Sequence, residues 1–197
     1  MAEDLKKETT EDFIPNKDLV DRFVKKILRY SQDDTDKIAA AAVYAAKMHG
    51  DQKRKSGEPY LIHPIAVAEI LIQIGMDADT VCAGLLHDTI EDTDTTEEKL
   101  ATMFGKEVGH MVQAVTKISR ITDDKSIQEA ETIKKMFFAM SKDLRVILIK
   151  LADKLHNMRT ISGLKPDRKR AFAQDCLDIF APIADSVGMS TIKSELE

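Results

Sequence analysis

Apolar residues return every three or four positions along nearly the whole of this chain, and no other feature narrows its fold as much. That spacing lines side chains up along one face of an α-helix, whereas a half-buried strand needs strict alternation. Neither an alternating run nor two such runs joined by a tight hairpin turn is present. The expected fold class is therefore all-α, and 197 residues are enough for one domain with a sizeable core. The polar start, "MAEDLKKETTED", leads us to expect a flexible segment over 1–16, a folded domain over 17–188, and a C-terminal helix or linker beginning over 189–197.

Punctuation marks predict the elements. A first helix is expected from 17 to 30, capped by Asn16, with Leu19, Val20, Phe23, Ile27 and Leu28 on one side. A second opens at Asp34 or Thr35 and stops at Gly50. After the loop "GDQKRKSGEPY", Pro64 fits the first turn of a helix ended by Gly75. "DADTVCAGLLHDTIED" reads as one continuous fourth helix, and Thr95 with Glu98 reads as a capping box for the next. "KEVGHMVQAVTKIS" is a further helix, followed by a polar linker over about 119–128. "AETIKKMFFAMSKD", "LRVILIKLADKLHNMRTI" and a last stretch from Pro166 to Gly188 complete the helices.

Charge and cysteine usage exclude some functions. A formal charge of -5 argues against a general binder of nucleic acid or anionic membrane, which needs positive potential over a broad face. A small anion could still meet a local basic cluster. Cys82 and Cys176 sit in apolar contexts, too few for a disulfide framework, and read as core residues of a cytoplasmic protein. The longest apolar run, "VILI", is far too short to span a bilayer. "GKEVG" lacks the ending of a phosphate-binding loop, and "DTDTTEEK" has Glu97 where a calcium loop needs glycine.

Three places carry chemistry. At the end of the fourth helix, His87 and Glu91 are four residues apart, as are Asp88 and Asp92, so four ionisable groups share one face. A solvated helix end would explain them. Acidic residues at a helix C-terminus oppose the macrodipole, however, and that placement hints at a cation. In "RVILIKLADKLHNM" the apolar residues leave few positions facing water, so Asp153 needs a metal, a base or a hydrogen-bond network. Lys150 and Lys154 offer the ion-pair answer, and Asn157 lies one turn on. His63, after the basic loop, reads alone as a capping or core histidine. Taken together, His63, His87, Asp88 and Asp153 form a mixed nitrogen and oxygen set from three helices, suited to Mn, Fe or Zn with positions open for water.

The segments "QKRKSGEPYLIHP", "LLHDTIEDT" and "IKLADKLHNMRT", in this order and spacing, closely resemble the HD-type hydrolase domain of the RelA/SpoT alarmone enzymes, small alarmone hydrolases included, from about residue 35 onward. The resemblance implies an HD helical bundle with a metal site at its centre. It implies removal of the 3′-diphosphate of ppGpp or pppGpp, giving GDP or GTP and pyrophosphate, with one Mn²⁺ ion as cofactor. On the matching positions His63, His87, Asp88 and Asp153 would be the metal ligands, and Glu91 and Asp92 would serve the attacking water. Arg54 and Lys55 would meet the diphosphates, Ser56 would offer a hydroxyl, and Asn157 and Thr160 would face the nucleotide.

The implied partner is thus a small nucleotide, neither nucleic acid nor membrane, with homo-oligomer formation left open. "APIADSVG" departs from the family's pattern at Asp185 and Ser186, and "MSTIKSELE" looks like the family's passage toward a synthetase domain that is absent. Two other readings stay open: an HD phosphohydrolase acting on another nucleotide such as NADPH, and a nucleotide-sensing module without turnover.

Overall fold

The computed structural model describes residues 13–27, 29–123 and 129–197. Its helices in chain order are α1 (Lys17–Val24), α2 (Gln32–His49), α3 (Ile62–Gln73), α4 (Ala78–Leu86), α5 (Thr89–Asp92), α6 (Glu97–Phe104), α7 (Lys106–Asp123), α8 (Glu129–Lys142), α9 (Leu144–Arg159), α10 (Pro166–Asp175), α11 (Ala181–Ser186) and α12 (Ser190–Leu196). No strand occurs among the described residues, and one isolated bridge pairs Lys53 with Pro59. The all-α expectation holds.

Two helices organise the bundle. α4 packs against α2, α3 and α7, and α9 packs against α3, α7 and α8. Every residue of α9 from Val146 to His156 is buried, the charged Lys150, Asp153 and Lys154 included. This is what the dense apolar pattern of that segment requires: no face of the helix is left for solvent. Leu71, Leu85, Leu86, Ile147 and Phe180 fill the centre, and both cysteines are buried among them.

Several helix ends differ from the sequence expectation. Asn16 stands at the start of α1 in a left-handed conformation (φ 54°) and its side chain caps nothing there; its Nδ2 donates instead to Gly50 O at 3.4 Å. α1 ends at Val24, six residues early, as Lys26 N turns to Phe23 O and Ile27 N to Val24 O. Leu28 lies outside the described residues. α2 opens at Gln32 because the Ser31 hydroxyl accepts from Asp34 N. Thr96, not Thr95, caps α6 by accepting from Lys99 N, while Thr95 is buried with its hydroxyl 3.0 Å from Tyr44 Oη. α7 continues to Asp123, so the first half of the expected linker is helical and the rest, 124–128, is not described.

The last helical stretch is interrupted by a π-helical segment, Cys176–Phe180, between α10 and α11, and Gly188 (φ 75°) turns the chain into α12. α12 buries Ile192 and Leu196 and packs on α9, where Arg159 makes a two-pronged ion pair with Glu195 at 2.9 and 2.8 Å. Asp185 accepts from Lys193 Nζ, and the Ser186 hydroxyl donates to Ile183 O.

At Gly109 the backbone of α6 comes close against α7. A Cβ there would lie 2.8 Å from Glu97 O and 2.9 Å from Ala101 N, both backbone atoms that cannot swing aside. Gly109→Ala is expected to destabilise the fold by about 1–3 kcal/mol through overpacking, read from the midpoint of urea unfolding. An unchanged midpoint would mean that α6 slides freely on α7.

Candidate functional site

The expected fourth helix is two helices, and the break makes the site. α4 ends at Leu86, Asp88 adopts φ -92° and ψ -9°, and Thr89 Oγ1 donates back to Leu86 O at 2.7 Å. The backbone carbonyl of Asp88 then starts α5 by accepting from Glu91 N and Asp92 N. His87 and Asp88 therefore occupy the corner between two helix axes, His87 buried and Asp88 partly so. The exposed Glu91 and Asp92 follow on the short helix beyond.

The tautomer of His87 follows from its one hydrogen bond. Nδ1 lies 2.8 Å from the Gly84 carbonyl, which can only accept, so Nδ1 carries the proton and Nε2 presents a lone pair. That Nε2 is buried without a hydrogen-bond partner, 3.1 Å from Asp88 Oδ1. A lone pair facing a carboxylate oxygen inside a protein is repulsive unless a cation lies between them. His63 Nε2 completes the cluster at 3.7 Å from Asp88 Oδ2 and 3.3 Å from Asp153 Oδ1. One ligand atom each from His63, His87 and Asp88 lie within 4.8 Å of one another. His63, His87 and Asp88, with Asp153 beside His63, make a donor set that suits a divalent cation, and the structure brings these four sequence candidates together.

The electrostatics favour the ligating forms. Burial pushes the His63 imidazolium pKa down, and the pull of Asp153 and Asp88 does not reverse this, so the ring stays neutral. Burial would raise the Asp153 carboxyl, but the Lys150 ammonium beside it holds it well below the usual carboxylate range. Burial would raise the Asp88 carboxyl too, but it lies below its ordinary value, with the Tyr60 hydroxyl donating to it.

These side chains are each held by a second group. Lys150 Nζ bridges Asp153 Oδ2 at 2.7 Å and Ser119 Oγ at 2.8 Å, and Asn157 Nδ2 donates to Asp153 Oδ1 at 2.6 Å. Tyr60 donates its phenol to Asp88 Oδ2 at 2.7 Å while its ring stacks on His49, 4.7 Å between centroids. Burial and the Asp88 carboxylate drive the Tyr60 pKa far up, so it remains a donor. His156 Nδ1 meets His63 Nδ1 at 2.8 Å, and burial beside His63 and Arg54 lowers its pKa to about 4. Such partners orient ligands and tune their basicity.

The cluster lies in a cleft of about 430 Å³ that also reaches Lys53, Arg54, Lys55, Ser56, Tyr60, Glu91, Asp92, Ser119, Lys150, Lys154, Asn157, Thr160, Gly163 and Leu164. Every residue singled out from the sequence for metal, catalysis or substrate lines it except His87, which sits behind Asp88. Five bases face four acids in this lining, so the cleft is formally positive although the chain carries -5. That imbalance suits an anion, more so with a bound cation.

The basic loop is a small hairpin closed by Arg54 N to Glu58 O at 2.9 Å and Tyr60 N to Gln52 O at 2.8 Å. Arg54 is anchored across the cleft to α9, donating to Asn157 Oδ1 at 3.0 Å and Thr160 Oγ1 at 3.1 Å. Lys55 is exposed, and the Ser56 hydroxyl donates to Glu58 at 3.3 Å. The Lys150 to Asp153 ion pair is the one expected from the sequence, whereas Tyr60 and Ser119 are not among the residues it singles out. His49 and His110 stay outside the cleft; His110 is exposed and pairs with Glu97.

The HD domain family model matches residues 41–190. The chain is 48% identical over 185 residues to a GTP pyrophosphokinase of Myxococcus xanthus, covering 91% of this chain and 24% of that protein. It is 45% identical over 167 residues to the bifunctional (p)ppGpp synthase/hydrolase SpoT of Escherichia coli, covering 84% of this chain and 24% of that protein. It thus spans about a quarter of the length of these relatives. Among solved structures, a metazoan ortholog of SpoT described as hydrolysing ppGpp superposes with a TM-score of 0.63 at 31% identity, over 81% of this chain and 91% of that one.

Proposed function

Because the chain belongs to the HD domain family, in the group that holds SpoT and its metazoan ortholog, we propose that it hydrolyses the 3′-diphosphate of ppGpp and pppGpp to pyrophosphate and GDP or GTP. One observation carries the reading: an orphaned His87 nitrogen in a cluster with His63 and Asp88, Asp153 beside His63, behind a cleft whose lip is basic. A small polyanion that must meet a cation is the ligand such a cleft fits.

We assign His63, His87, Asp88 and Asp153 as the residues that hold one divalent ion, Mn²⁺ in our reading. When bound, that ion lowers the pKa of a water molecule and neutralises charge on the phosphoryl oxygens. The remaining work falls to the protein. Glu91 and Asp92 on α5 hold the attacking water and take its proton, which passes to the 3′ oxygen as its bond to phosphorus breaks. Arg54 and Lys55 neutralise the diphosphates, with the planar guanidinium suited to two-point contact. Ser56 offers a hydroxyl, and Asn157 and Thr160, already gathered by Arg54, contact the nucleoside.

No helix among the described residues is long and apolar enough to cross a membrane. We place the activity in the cytoplasm, where guanine nucleotides and divalent cations are available.

The test is pyrophosphate release from ppGpp by metal-stripped protein, alone and with manganese, magnesium or zinc, beside Asp88→Ala. Release that requires manganese and vanishes in the variant is expected. Release from NADPH but not ppGpp would reassign the substrate, and tight ppGpp binding with manganese but no release would make the protein a sensor.

A further inference from the structure

The hydrogen bonds of His156 run in one direction, and that direction ends at the metal cluster. Arg54 Nη1 lies 3.4 Å from His156 Nδ1, and a guanidinium can only donate. His156 Nδ1 is thereby an acceptor. The same nitrogen lies 2.8 Å from His63 Nδ1, and two ring nitrogens at that distance share one proton. With the acceptor on His156, the proton belongs to His63. A neutral imidazole carries only one, so His63 Nε2 is left with a bare lone pair between Asp153 Oδ1 at 3.3 Å and Asp88 Oδ2 at 3.7 Å. The opposite tautomer would place an N–H there, satisfied by the carboxylates and closed to a cation.

We propose that His156 is a positioning residue: its Nδ1 lone pair, held as an acceptor by Arg54, keeps the proton on His63 Nδ1 and so keeps His63 Nε2 available to a divalent cation. The inference rests on the cluster being a metal centre. His156 is 7% exposed and its ring stands 5.0 Å from that of His63, tilted by 38°, so water does not replace it. The sequence offers no comparable acceptor nearby on α9, where the neighbouring Asn157 already spends its amide on Asp153 and its carbonyl oxygen on Arg54. The chain of contacts also gives Arg54, at the cleft mouth, a second task beside phosphate binding: it sets the proton of a ligand it does not touch.

The test separates geometry from mere polarity. Asn at 156 places Oδ1 where the histidine has Nδ1, whereas Gln reaches the position of Nε2 and leaves the acceptor site empty. Metal-free parent, His156→Asn and His156→Gln are titrated with Mn²⁺ by calorimetry, and the parent's imidazole nitrogens are assigned by ¹⁵N NMR. The Asn variant is expected to bind within about threefold of the parent and the Gln variant about 10- to 100-fold more weakly, the usual effect of losing a ligand's hydrogen-bond partner. At saturating manganese the Gln variant should recover most of its kcat. In the parent, His63 should be protonated at Nδ1 and bare at Nε2. Equal affinity of the Gln variant and the parent, or a proton on His63 Nε2 in the metal-free parent, would overturn the proposal. A parent that binds manganese in this way but releases no pyrophosphate from ppGpp would support the role of His156 and remove the hydrolase reading alone.

Discussion

Asp153→Ala is expected to abolish pyrophosphate release and to lower the stability of the metal-free protein by about 3–5 kcal/mol, the range for removing one partner of a buried ion pair. The stability loss follows from Lys150, which is 4% exposed and donates 2.7 Å to the Asp153 carboxylate. Two effects compete at Asp153. Removing a buried anion relieves its own desolvation and its repulsion with Asp88, yet it takes the carboxylate away from the Lys150 ammonium and the Asn157 amide. The depressed pKa of Asp153 decides between them, because the folded surroundings favour the anion more than water does. A second substitution separates stability from function: Lys150→Met in the Asp153→Ala background should restore much of the stability while metal binding and turnover stay lost. Urea unfolding of the metal-free proteins checks both points. A single variant as stable as the parent would mean that Lys150 finds another partner once Asp153 is gone.

That prediction could be framed from the sequence, since an aspartate inside a nearly all-apolar helix must be paired. The same reasoning fails where tertiary contacts, not local chemistry, choose between equal candidates. Thr95 and Thr96 are both capping residues by type; Thr96 caps because Thr95 is drawn inward to Tyr44. Asn16 is a good cap by type, yet its amide is spent on Gly50. α1 stops at Val24 with no glycine or proline to announce it, whereas the π-helical turn at Cys176–Phe180 is marked by Pro182, which has no N–H to give the Asp178 carbonyl.

The break at His87 and Asp88 matters most. Period alone extends one helix from Asp77 to Asp92, and neither residue at the corner is a breaker. The two residues were singled out for their chemistry even though their geometry was misread. Tyr60, Ser119 and the direction of the His156 bonds were not legible, because each depends on a partner between 28 and 102 residues away.

Glu91→Gln is expected to do the reverse of Asp153→Ala: to leave metal affinity and stability within about twofold and about 0.5 kcal/mol of the parent, as for a surface change, while kcat falls about 10²- to 10⁴-fold, the usual worth of a positioned acid or base. Glu91 is exposed on a helix of four residues and lines the cleft beyond the ligand corner, so the amide fits where the carboxylate stood. The amide keeps a hydrogen bond to water but cannot take its proton. Because α5 starts from the backbone carbonyl of Asp88, the substitution does not disturb the Asp88 side chain. Measuring Mn²⁺ affinity, urea midpoint and kcat on the same preparations distinguishes the roles. If Glu91→Gln loses manganese as completely as Asp153→Ala, then Glu91 belongs to the metal's own ligands, and the proton of the attacking water must be taken by Asp92 alone.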